Sequence, residues 1–142
     1  MDPITLNRAF NDHMIEFVGD IQSVFPDNVD IRSAKNGILM MKKSNPRILS
    51  KIWYQYISLP YISEIESGDL AFFIDKDYSS DISGIAGGGN EIMEKINILR
   101  EPVRCMGEDN QLKSIQYIQN LTKLTGLIYG APRAESSIGL GC

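Results

Sequence analysis

The residues able to do chemistry are few and scattered. His13 is the single histidine, so any Ser-His-Asp or Cys-His arrangement would have to be built on it. It sits beside Met14 at the edge of an apolar stripe, and no neighbouring motif activates a nucleophile. It reads as a structural or surface histidine. Cys105 and Cys142 lie far apart with no CxxC pairing. That argues against a disulfide framework or a zinc site and points to a reducing compartment. Asp75, Asp77, Ser79 and Asp81 alternate like the start of a helix–loop–helix calcium site. Such a site needs Gly at its sixth position and Glu at its twelfth, and the chain offers Ser80 and Ala86 there. An acidic, solvated loop is the better reading. The glycines between Gly84 and Glu91 suggest a phosphate loop, but no Lys-Ser or Lys-Thr follows them and Glu91 would repel the ligand. They read as a flexible connector. No cluster matches nucleophilic, metal or phosphate chemistry, so the expectation is a non-enzymatic protein with no cofactor.

Charge is more informative than motif. From Asn28 to Pro60 the bases Arg32, Lys35, Lys42, Lys43, Arg47 and Lys51 face only Asp30, a net of +5. From Tyr61 to Ile82 the acids Glu64, Glu66, Asp69, Asp75, Asp77 and Asp81 face only Lys76, a net of −5. Three readings stay open. The two stretches are solvated faces that partly neutralise each other. Or they make a bipolar molecule that docks on charged neighbours, with complementary potential setting the register. Or Lys42, Lys43 and Arg47 touch phosphates, which would make binding fall steeply with salt. The overall charge of −4 argues against a general nucleic-acid binder. The candidate partner contacts are Lys42, Lys43, Arg47, Lys51, Glu64, Glu66, Asp75, Asp77 and, near the end of the chain, Arg133.

Helices must position these residues. A length of 142 residues fits one domain, placed at residues 1–130, with an extended or disordered tail at 131–142. Asp2 and Pro3 open a first helix whose stripe is Leu6, Phe10, Met14, Phe17, Ile21 and Val24, with Asn7, Asn11 and Asp20 off it. Phe25-Pro26 breaks it. A second helix runs from about Asp30 to Lys43, with Ile31, Ala34, Ile38 and Met41 inward. Asn45 is the expected cap and Pro46 the first residue of a third helix. That helix carries Ile48, Leu49, Ile52, Trp53, Tyr56 and Ile57, leaves little polar surface, and should be central. Leu59-Pro60-Tyr61 should end it, and a short helical stretch should close at Gly68.

Leu70 to Ile74 reads as helix or irregular structure, because no convincing strand exists to pair with it. Asn90 should cap a helix bearing Ile92, Ile96, Leu99, Val103 and Met106, interrupted by Pro102. A last helix from Asp109 or Asn110 should turn Tyr117, Leu121, Leu124 and Ile128 inward. The fold class is all-α, an irregular bundle of five or six helices with a flexible Gly-rich loop and an extended tail. No run of about 20 apolar residues is present to span a membrane. The first residues lack a signal peptide's apolar region, so an intracellular location is expected.

The stretches FNDHMIEFVGDIQSVFPDN, NPRILSKIWYQYISLPYISEIESGDLAFFIDKDYSSDI and YIQNLTKLTGLIY resemble a family of small helical proteins encoded by large nucleocytoplasmic DNA viruses of algae and protists. The resemblance spans about Leu6 to Tyr129 and contains no catalytic signature. It implies a viral origin and a structural role, as a minor capsid or internal component of the virion. The protein would bind capsid or other virion proteins, or itself, and be found in the virion and in host cytoplasm during assembly. The other expectation is a nucleic-acid-associated or regulatory binding protein of infected cells, using Lys42, Lys43, Arg47 and Lys51.

Overall fold

Helix α1 (Pro3–Val24) starts where Asp2 Oδ1 accepts the Thr5 N–H at 2.8 Å, with Pro3 in the first turn. Leu6, Phe10, Met14, Phe17 and Ile21 are buried as their spacing predicts, whereas Val24 reaches solvent in the last turn. Asn28 caps α2 (Val29–Ser44), which buries Ile31, Ala34 and Ile38. The computed structural model describes residues 2–75 and 89–130. The expected calcium-like loop beyond Asp75, the glycines before Gly89 and the tail at 131–142 lie outside them.

The third helix begins later than its proline suggests. Asn45 Oδ1 accepts the Arg47 N–H, so Asn45-Pro46-Arg47 is a turn and α3 (Ile48–Trp53) follows it. Leu49, Ile52 and Trp53 are buried. Helix α3 packs against both α1 and α2, which makes it the central rod its composition called for. Pro60 does not end this rod. The chain passes through a π-helical segment, Tyr54–Ser58, directly into α4 (Leu59–Ser67). The reason is geometric. Pro60 donates no N–H, and its ring would collide with the Tyr56 carbonyl in a regular helix. A wider turn and a bend at Tyr61 (φ −121°) relieve both problems. Gly68, at φ +79°, closes α4, with Asp69 N–H donating back to the Glu64 carbonyl at 2.9 Å.

Asp69 caps α5 (Ala71–Asp75), so Leu70–Ile74 is helical rather than a strand. Helix α6 (Gly89–Ile98) starts one residue before Asn90, which therefore sits in its first turn rather than capping it. Pro102 falls in a separate short helix, α7 (Arg100–Arg104), because α6 has already stopped at Ile98. Ile92, Ile96, Leu99 and Val103 are buried together. Helix α8 (Glu108–Tyr129) follows Gly107, which caps it without a side chain. It runs along α1 and along the α3–π segment.

The inner face of α8 differs from expectation. Ser114, Ile115, Ile118, Leu121, Thr122 and Thr125 are buried, while Tyr117, Leu124 and Ile128 are only partly so. The hydroxyls face inward because partners await them. Trp53 Nε1 donates to Thr122 Oγ1 at 3.1 Å, and Ser58 Oγ meets Thr125 Oγ1 at 2.9 Å. Among the described residues there is no strand, and no helix is long and apolar enough to cross a membrane. The architecture is an all-α bundle.

Candidate partner-docking site

Ile4, Asn7, Arg8 and Asn11 follow one another on α1 at steps of three, one and three, which places them on a single face. That face meets the last turn of α2 and the Asn45–Arg47 turn. The junction forms a cleft of about 460 Å³ lined by Ile4, Asn7, Arg8, Asn11, Lys42, Asn45, Pro46 and Arg47. Two buried asparagines build its floor. Asn11 Nδ2 donates to the Pro46 carbonyl at 2.8 Å, tying the turn onto α1. Asn7 Nδ2 donates to the Pro3 carbonyl at 2.9 Å, and Asn7 Oδ1 accepts from Ser50 Oγ. Both were expected off the buried stripe. They are buried because a turn and a serine on other elements satisfy them.

The rim is cationic. Lys42 Nζ lies 3.7 Å from Asp12 Oδ1, an exposed pair of small energetic weight. Among the described residues Arg8, Lys43, Arg47 and Lys51 form no ion pair. Lys43 is exposed at the end of α2, and Lys51 is exposed four residues beyond Arg47. Sequence reasoning therefore reached Lys42 and Arg47 but missed Arg8, which lies outside the basic stretch. The signal that would have found it is the helical spacing Ile4, Asn7, Arg8, Asn11.

The acidic candidates are not gathered into one site. Glu64 is half-buried on α4, and its carbonyl serves the Gly68 closure. Glu66 is exposed beside a largely apolar groove of about 500 Å³ between α4 and α8, which Ile62, Ile65, Lys123 and Leu127 also line. Asp75 sits 3.9 Å from Arg104 Nη2, so it is partly answered within the chain. Asp77 and Arg133 lie outside the described residues.

His13 is half-buried against α8. Its ring centroid is 4.8 Å from that of Tyr117, and its Nδ1 is 3.9 Å from Glu16 Oε1. The Tyr117 hydroxyl donates to Asp20 Oδ2, and burial, then that bond and the Asp20 charge, raise its pKa above the usual phenol value. Among the described residues no three His, Cys, Asp or Glu side chains are grouped so as to hold a metal ion. Comparisons with protein families, with curated proteins and with solved structures find no match to this chain.

Proposed function

We propose that this protein is a non-enzymatic interaction protein of a large DNA virus particle, a minor capsid or internal virion component. It binds neighbouring proteins through its charged surfaces. The viral setting rests on the resemblance of the helical stretches between Leu6 and Tyr129. The docking role rests on one observation: Arg8, Lys42 and Arg47 converge on a single cleft, and among the described residues only exposed Asp12 pairs with any of them. Uncompensated charge beside a concave surface steers an acidic partner and fixes its orientation.

The test is mass spectrometry of purified particles combined with lysine cross-linking. The protein should be present, with cross-links from Lys42, Lys43 or Lys51 to an acidic neighbour. Its absence from particles would remove the virion reading. A second reading, binding to nucleic acid in infected cells, draws on the exposed spacing of Arg47 and Lys51 beside Lys43. A gel shift at about 50 and 200 mM salt decides it, since phosphate contacts lose affinity steeply over that range.

A further inference from the structure

The basic cleft holds something that a plain positive patch does not. Asn11 is 2% exposed, and its Nδ2 is committed to the Pro46 carbonyl. A carbonyl only accepts, so this bond fixes which way the amide points. The other atom, Asn11 Oδ1, is buried with no donor among the described residues. Buried acceptors are nearly always satisfied, and each exception calls for a reason. Asn11 lines the cleft together with three cations, Arg8, Lys42 and Arg47, and two apolar surfaces, Ile4 at 63% exposure and Pro46. The cleft volume of about 460 Å³ is within the usual range of binding pockets.

We infer that the cleft receives an acidic peptide segment of a partner protein. The cations hold a Glu or Asp carboxylate, Asn11 Oδ1 accepts a backbone N–H of the same segment, and an adjoining apolar side chain lies on Ile4 and Pro46. This rests on the docking reading above and names the chemistry of the occupant. The orphaned acceptor is what selects a peptide. A deoxyribose phosphodiester backbone offers oxygen acceptors alone, and a phosphate monoester is mostly dianionic at neutral pH. Neither gives Asn11 a donor. A peptide carries an N–H within a few bonds of each acidic side chain. Asn11 Oδ1 has almost no accessible surface, so on this reading the segment reaches it only as neighbouring side chains move. Lys42 and the arginines, with long flexible stems, suit that movement.

The experiment titrates the full ¹⁵N-labelled chain with three probes. They are a short blocked peptide with two glutamates flanked by leucines, its glutamine counterpart, and dimethyl phosphate, a phosphate with no O–H to donate. The acidic peptide should move the amides of Arg8, Asn11 and Arg47 saturably, more weakly as salt rises. The glutamine peptide and dimethyl phosphate should leave them in place. Arg47→Glu should weaken peptide binding by roughly tenfold or more. Asn11→Ala should weaken it without changing the salt slope, because it removes an uncharged acceptor. Should Asn11→Ala fail to fold, Arg8→Glu at an exposed position carries the test. Equal binding of dimethyl phosphate, or cleft amides unmoved by the acidic peptide, overturns the inference. The two readings fail separately. A chain found in particles whose cleft ignores the peptide keeps its docking role and loses this occupant. A chain that binds the peptide but is missing from particles does the reverse.

Discussion

Trp53 shows how a single buried side chain sets conditions on distant ones. It is 1% exposed, meets Phe10 edge-on at 6.3 Å, and donates to Thr122 across the α3–α8 contact. Thr122→Val keeps the shape and removes the acceptor, which strands the indole N–H. The expected loss is about 1–3 kcal/mol. Urea unfolding followed by the fluorescence of this single tryptophan measures it, and the m-value should not change. Ser50 is a second such node. Its one hydroxyl proton goes to Asn7 Oδ1, so Tyr129 OH, 2.8 Å away, must donate to Ser50 rather than accept from it.

Tyr117 yields a pH prediction. Its folded pKa is raised, chiefly by burial and then by Asp20. A raised pKa means the neutral phenol is the favoured folded form. Its contribution is complete below the unfolded phenol value, about 10, and is lost as pH climbs beyond it. Thermal stability should therefore fall above about pH 10, and Tyr117→Phe should flatten that slope. An unchanged alkaline slope in the variant would mean Tyr117 ionisation does not set it. None of these partnerships is readable from periodicity. Asn7 and Asn11 are polar residues on an apolar helix, and the sequence does not say that Ser50 and Pro46 will come to meet them.

Among the elements, two of the departures from expectation had opposite causes. At Pro60 the local rule was right about strain but wrong about the outcome. The chain widened into a π turn instead of leaving the helix, because Ile57 and Ile65, on either side, are both anchored in the core. In α8 the local rule picked the greasiest stripe, yet the buried face uses hydroxyls that Trp53 and Ser58 satisfy. Where the buried face of a helix is apolar, as in α2, spacing found Ile31, Ala34 and Ile38, although Met41 of the same expected stripe is only partly buried. Gly68 belongs at this scale too. Its φ of +79° is a left-handed closure that lets α4 stop and α5 begin. Gly68→Ala should cost about 1–2 kcal/mol by forcing a Cβ into that conformation, and Gly68→Asn less. Differential scanning calorimetry of the pair checks the order. Equal melting temperatures would mean the turn shifts to a different closure.

For the whole molecule, the question is whether the surface charge is solvation or recognition. Part of it has a local cause. Asp30 in the first turn of α2 and Lys42 and Lys43 in its last turn complement the helix dipole, so those lysines need no partner to explain them. Arg47 and Lys51 have no such cause. They stand at the start of the central rod, exposed and without an acidic partner among the described residues. That makes them the pair that separates the two readings. Arg47 holds the N-cap position of α3 without a side-chain cap bond, where Glu suits the helix dipole, and Lys51 is exposed, so each reversal to Glu should shift stability by no more than about 0.5 kcal/mol. Relief of repulsion within the basic rim even favours the variant. The double variant Arg47→Glu/Lys51→Glu should therefore melt within a few degrees of the parent. If the face is merely solvated, the variant will also cross-link to its neighbours as the parent does. If the face docks an acidic partner, the cross-links from Lys42 and Lys43, which the variant keeps, vanish at unchanged stability. A fold kept intact while association is lost is the outcome that a charge placed only for solubility cannot produce.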